Sequence, residues 1–453
     1  MSINHIKTLK ARDLTLFTVS AILLLDTLAA AASVGVSSLF WWLFLAVIFF
    51  LPFGLISAEM GTTYPEQGGV YAWVRNAYGK RWGSRISWAY WVNTALWNPS
   101  IFILFAGVFK QLFAPELSLA GQIIIGIVLS WVSVIVNIVT LKVGKWVPNV
   151  GAILKLIIFI TLIIGGLNYV QENGMANRIS WETLTPTWSG SLEYIPAIIY
   201  GMLGFELMSA SADEIKNPAR DLPRATLFSG CIILLFYVLG TLAILAAVPV
   251  ADVNLVEGLV DTLTLFFGDS SLGIAFVTVL GIAALYTFLS NGVTWAMGCN
   301  RAMAEAALDG ELPKILGKTH PRNGTPMGAA IAMGVVSTLV LLFYGLIASS
   351  NEDLFWSLFS FSAVIFLLTY VGMMLAFLKL RKMDSQRHRP FRVPGGKLFA
   401  RIAAYSCLFV IALALFLFIW TPAEGMQWPV FLGAIITMAL GEFLVRKAEH
   451  ENS

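Results

Sequence analysis

Apolar residues run along this chain in blocks of about 20, separated by short polar stretches that hold nearly all of the charge. A block of that length is what a helix needs to cross a hydrocarbon core about 30 Å thick. Twelve spans are predicted, at 14–36, 39–62, 84–113, 119–141, 147–170, 190–212, 225–249, 270–303, 326–348, 353–379, 400–420 and 427–445. None shows the period-two alternation of a lipid-facing strand, so they read as helices and not as barrel strands. Hydrophobic residues make up 58% of the chain and charged ones 12%, more apolar surface than a soluble domain hides. The expectation is an all-α membrane protein, a single polytopic domain over 1–453 with no soluble part large enough for separate chemistry.

Charge then orients the spans. A sequence pI of about 8.6 would hint at nucleic acid in a soluble chain. Here 26 of the 29 Lys and Arg residues fall on one side once the N-terminus is placed in the cytoplasm. Lys110 and Arg178 lie outside and Lys155 lies within a span, so both termini are expected in the cytoplasm of an inner or plasma membrane. The first apolar run follows a short basic tail and lacks a cleavage site, so no cleavable leader is expected. Cys231, Cys299 and Cys407 all lie within spans, so no disulfide framework is expected. His5, His320, His388 and His450 are too scattered for a metal site, and no phosphate-binding loop appears, so neither cofactor nor metal is expected. The stretch 62–83 reads as an interfacial amphipathic helix anchored by Trp73, Tyr78 and Trp82. An acidic outer loop, 250–270, could weakly concentrate cations, but ordinary solvation is the reading preferred.

One carboxylate does not fit the apolar pattern. Asp26 lies mid-span in "AILLLDTLAAAASVG" (21–35), where a charge costs roughly 2.5–3.5 kcal/mol on insertion scales. Three roles are open to it: capping exposed backbone amides, ligating sodium or a proton, or binding the cationic end of a substrate. Glu206 also lies mid-span, and both are followed by small residues, "AAAAS" (29–33) and "SASA" (209–212), that permit close packing.

Three ordered stretches, "FGLISAEMGTTYPEQGGVYAWV" (53–74), "GFELMSASADEIKNPARDLPRA" (204–225) and "CNRAMAEAALDGELPKILGKTHPRNGTP" (299–326), resemble the amino acid–polyamine–organocation superfamily of secondary transporters. The first two are most similar to glutamate/GABA-type antiporters, and the site invites comparison with the arginine/agmatine antiporter. The resemblance implies a LeuT-type fold: inverted repeats over 14–170 and 190–379, broken first and sixth helices, and two extra helices over 400–445. Relatives that carry amino acids keep a Gly-rich break whose bare amides receive the substrate carboxylate. Here Leu25, Asp26 and Thr27 occupy that place, with Asp26 in the middle. At about 4 Å and an effective dielectric near 20, like charges repel by roughly 4 kcal/mol, so the pocket is expected to prefer amines.

The resemblance also assigns the other site residues. Glu206 matches a substrate-facing or proton-coupled glutamate, with a plain interhelical hydrogen bond as the alternative. Trp295 falls on a substrate-contacting tryptophan, Tyr200 on a gating tryptophan, and Asn98, in "YWVNTALWN" (90–98), on a substrate-contacting asparagine. Trp91 and Trp97 read as packing, and Ser360 and Ser362 as further hydrogen-bonding candidates. Lys155 looks like the lysine that replaces sodium in sodium-independent relatives and holds the broken first helix to its neighbour. The function expected is exchange of agmatine for putrescine, with an amino acid/amine antiporter or proton-coupled permease as the alternative, and relatives raise a homodimer. A transceptor is disfavoured because no signalling domain is visible, and a channel because no filter motif is.

Overall fold

The computed structural model describes residues 9–66, 68–139, 146–187, 192, 194–254, 257–421 and 425–452, with side chains withheld at 211–214 and 452. Seventeen α-helices are present among them. In order they are α1 (Ala11–Ile22), α2 (Leu25–Ser33), α3 (Ser37–Leu45), α4 (Leu51–Thr63), α5 (Val70–Tyr78), α6 (Lys80–Phe113), α7 (Leu119–Val139), α8 (Trp146–Asn173) and α9 (Trp181–Leu184). Then come α10 (Ile195–Tyr200), α11 (Pro218–Ala247), α12 (Gly258–Phe267), α13 (Ser271–Leu308), α14 (Met327–Gly345), α15 (Asn351–Met383), α16 (Gly396–Ile419) and α17 (Trp428–Asn452). A π-helical turn at Ala46–Phe50 joins α3 to α4, and a two-residue antiparallel ladder (Trp420–Thr421 with Gly425–Met426) links α16 to α17.

Among the described residues ten helical stretches are long and apolar enough to cross a membrane, and the pair α1–α2, bent by 45° at its break, makes up to an eleventh. The chain is an all-α, multi-pass membrane protein. The remaining expected span, 190–212, is not one helix: α10 ends at Tyr200, and regular structure resumes only as a 3-10 helix at Leu207–Glu214. Backbone away from lipid can be irregular when other protein groups satisfy it, and this segment lies inside the bundle.

Long helices α6, α13 and α15 form the centre, with α1, α8 and α11 packed around the first break. Two sequence expectations change here. Trp73 is no interfacial anchor: it is fully buried and its indole N–H donates to the Tyr64 carbonyl at 3.1 Å, because α5 packs against α6 and α15. Tyr78 and Trp82 do stay exposed. The acidic stretch 250–270 is partly α12, where Asp261 accepts a hydrogen bond from the Gln111 amide at 2.6 Å. The three cysteines are free thiols.

The end of the bundle richest in Arg and Lys is held by two polar clusters. Glu59 of α4, with no exposed surface, accepts both guanidinium N–H groups of Arg381 at 2.8 Å, one from Arg389 at 3.2 Å, and the Val393 amide at 2.7 Å. Nearby, Arg75 pairs with Glu66 at 3.0 Å and with Asp309, while the Tyr71 hydroxyl donates to Asp309 at 2.8 Å. Glu311 accepts from the Ser84 hydroxyl at 2.9 Å, and partial burial pushes its carboxyl above the usual range.

Candidate functional site: two helix breaks over buried carboxylates

The first break comes from two residues, Leu23 and Leu24, whose backbones are extended (φ −74°, ψ 97° and φ −103°, ψ 135°). It therefore falls one to two residues before the expected 25–27, and Asp26 stands in the first turn of α2. The reason is a distant partner. The Leu23 amide still closes on the Val19 carbonyl at 3.0 Å, whereas the Leu24 amide donates to the Tyr237 hydroxyl of α11 at 2.9 Å. That phenol faces the Ile22 carbonyl at 2.5 Å and the Gly201 carbonyl, at the second break, at 3.2 Å. A single hydroxyl thus ties both interruptions together. Tyr237→Phe is expected to lower stability by about 1–3 kcal/mol, the cost of orphaning a buried backbone group. Detergent-solubilised protein with an unchanged unfolding midpoint would show that the breaks are held by other means.

The second break needs its glycines. Gly204 has φ +129°, and a Cβ there would stand 3.0 Å from Ile22 and 3.2 Å from the Trp295 ring. A Cβ on Gly201 would meet Thr27 of α2 at 2.6 Å, so the two breaks approach each other closely.

Around these breaks the expected residues take the following places. Asp26 is 7% exposed, with the amides of residues 26 and 27 beside its carboxylate and its Oδ1 without a hydrogen-bond partner among the described residues. An anion at a helix N-terminus is favoured by the aligned peptide dipoles. Lys155 of α8, 1% exposed, donates to the Ser20 carbonyl of α1 at 2.6 Å and to Asn291 of α13 at 3.1 Å, within electrostatic reach of Asp26. It ties α1 to its neighbours.

Glu206 follows the irregular segment at 1% exposure. Its Oε1 accepts from the hydroxyls of Tyr90 at 2.9 Å and Tyr370 at 2.8 Å, the amides of Gly204 and Glu206 lie beside the carboxylate, and Oε2 has no hydrogen-bond partner among the described residues. Trp295 donates its indole N–H to the Ala21 carbonyl at 3.0 Å, one residue before α1 ends. Tyr200 donates to Asn93 at 3.4 Å and packs on Phe359 and Phe366 with ring centroids 4.8 and 5.2 Å apart. Ser362 lies beside the Tyr200 hydroxyl and donates to the Phe359 carbonyl at 2.8 Å; Ser360 is 7% exposed on the same helix.

Asn98 does not join this group. Its amide donates to the Gly292 carbonyl at 3.3 Å and it lines a polar cleft among α6, α7, α13 and α14 with Ser130, Ser133, Asn137, Asn300 and Ser337. Helical spacing explains this: Tyr90, Asn93 and Trp97 share a face at i, i+3 and i+7, and Asn98 lies about 100° further round. Trp91 and Trp97 are buried as expected of packing residues, Trp91 donating to Asn300 at 2.9 Å and Trp97 meeting Trp295 edge-on.

The residues that sequence reasoning missed are Tyr90, Asn93, Tyr237, Phe366 and Tyr370. Phe366 is the hub: its ring centroid is 4.7–6.0 Å from those of Tyr90, Tyr200, Trp295 and Tyr370. Tyr90 and Asn93 share a helical face with Trp97, a usable signal, and Phe366 and Tyr370 are one turn apart on α15. Nothing in the sequence marks Tyr237. Among the described residues no group of three or more His, Cys, Asp or Glu is placed to hold a metal.

A multi-pass bundle with two interrupted helices meeting over a charged, aromatic-lined interior has the architecture of a membrane transporter. The chain belongs to the amino acid permease family, whose model matches residues 9–440. It is 33% identical over 431 residues to a probable agmatine/putrescine antiporter of Lactococcus lactis, covering 93% of this chain and 91% of that one. An uncharacterized transporter of Legionella pneumophila is 31% identical, over 87% of this chain and 86% of its own. A glutamate/gamma-aminobutyrate antiporter of Lactococcus lactis is 25% identical, over 85% and 78%.

Proposed function

We propose that this protein exchanges organic amines across the cytoplasmic membrane by alternating access, agmatine against putrescine being the preferred pair. One observation carries the reading: the polar groups at the first break favour a cation. The Leu24 amide is taken by Tyr237, the amides of residues 26 and 27 face Asp26's own carboxylate, and its Oδ1 is left open. A substrate carboxylate would meet an anion there and find few free donors, whereas an ammonium or guanidinium group would find an acceptor. Glu206 Oε2 is a second open acceptor for the far end of a dication. The rings around Phe366 add cation–π attraction of about 0.5–2 kcal/mol each.

In this mechanism Asp26 and Glu206 hold the cationic ends, Trp295 and Tyr200 enclose the chain between them, and Tyr200 closes the outer path. Ser360 and Ser362 supply hydrogen bonds, and Asn98 supports the helix face behind the site. Lys155 holds α1 to its neighbours in place of a sodium ion. The repeats 14–170 and 190–379 rock about the breaks, 400–445 adds two peripheral helices, and both termini face the cytoplasm. Agmatine and putrescine are both dications near neutral pH, so exchange moves no net charge. An empty site with two unpaired acids crosses slowly, which enforces exchange. The similarity to a probable agmatine/putrescine antiporter supports the same pair.

Counterflow into proteoliposomes loaded with putrescine tests this. Labelled agmatine is expected to enter well ahead of arginine, cadaverine and glutamate. Glutamate or arginine entering faster than agmatine would establish an amino acid exchanger instead.

A further inference from the structure

On the outer face of the bundle, α4 with its preceding π-turn and α11 leave a groove of about 450 Å³ between them. Its walls are apolar: Val47, Leu51 and Leu55 on one side, Leu227 and Leu234 on the other. The floor is the ring of Phe205, the residue before Glu206. The floor is reached because two wall residues are glycines: a Cβ on Gly54 or Gly230 would stand 3.2 or 3.3 Å from that ring.

Two polar groups break the apolar lining. Arg224 is exposed at one end, and among the described residues no carboxylate pairs with it. Arg220, one turn earlier on the same helix, is exposed too. Two residues inward from Arg224, Thr226 is 7% exposed and, among the described residues, its hydroxyl has no hydrogen-bond partner.

The dimensions select an occupant. Arg224 to Leu234 is ten residues of α-helix, about 15 Å at 1.5 Å per residue. That is half of a hydrocarbon core about 30 Å thick, or one leaflet. An acyl chain would therefore run the length of the groove, a glycerol ester would lie by Thr226, and the head group would stand at the arginines. Basic pockets between membrane helices suit anionic head groups.

We propose that this groove is a binding site for an anionic glycerophospholipid of the leaflet at the basic end of the bundle. Its phosphate pairs with Arg224, its ester accepts from Thr226, and its acyl chain lies on Phe205. The lipid thereby packs against the irregular segment that carries Glu206.

The test is native mass spectrometry of the full-length protein released from nanodiscs of phosphatidylcholine mixed with phosphatidylglycerol. Wild type is expected to retain one phosphatidylglycerol in preference to phosphatidylcholine. Arg224→Gln should weaken that retention about fivefold, and Arg224→Lys should restore most of it. Cys231→Trp, which projects a ring into the groove from an exposed wall position, should abolish it, with Leu234→Trp as a second filling variant. Matching unfolding midpoints keep folding out of the comparison. Wild type that retains no lipid, or retains both lipids equally, overturns the site, as does an Arg224→Gln protein indistinguishable from wild type.

Discussion

Asp26→Asn is expected to lower amine affinity about a thousandfold while leaving the protein folded. The figure follows from removing one attraction of roughly 4 kcal/mol, at about 4 Å and an effective dielectric near 20, with tenfold in affinity per 1.4 kcal/mol. Folding should survive because Asn keeps the shape and the acceptor at the N-terminus of α2, and Ser or Asn at helix starts is well tolerated. Lys155 keeps its bonds to Ser20 and Asn291 in the variant, so α1 stays tied. The measurement is binding of labelled agmatine to purified protein, alongside its unfolding midpoint. Near-wild-type binding would remove Asp26 from the site. Glu206→Gln makes a useful companion, since an amide oxygen still accepts from Tyr90 and Tyr370 while the open carboxylate charge is lost.

The second large effect is structural. Glu59→Ala should cost about 3–5 kcal/mol, because it leaves Arg389, itself buried, and Arg381 without their shared carboxylate and orphans the Val393 amide. The clasp joins α4 to the end of α15 and to the segment leading into α16, so its loss should also loosen that end of the bundle. A fall in the unfolding midpoint in detergent checks this. Glu59→Gln should be milder, keeping one acceptor but not the ion pair. If Glu59→Ala unfolds like wild type, water must reach the clasp freely enough to replace the carboxylate.

Which parts of this were visible in the sequence follows from the range of the forces involved. A transmembrane helix satisfies its own backbone hydrogen bonds, so span existence and approximate limits are local properties and were legible: the third expected span, 84–113, is α6 starting four residues earlier. Trp73 was misread because amphipathicity alone does not say whether a helix lies on lipid or on protein; α15 decided it. The motif resemblance points to Asn98, but five steps of 100° around α6 put it about 140° away from Asn93, on a different face. Break position was off because the acceptor for the Leu24 amide comes from residue 237.

The sequence by itself determined that this is an all-α membrane protein with a carboxylate in the middle of each of two spans, since apolar run length and the cost of intramembrane charge are one-dimensional quantities. Only the tertiary structure decided where the first helix breaks, which rings surround Phe366, and that Tyr90 and Tyr370 hold one oxygen of Glu206 while the other stays open. Those are matters of which distant side chains arrive within hydrogen-bonding distance, and packing of α6, α11 and α15 around the breaks sets them.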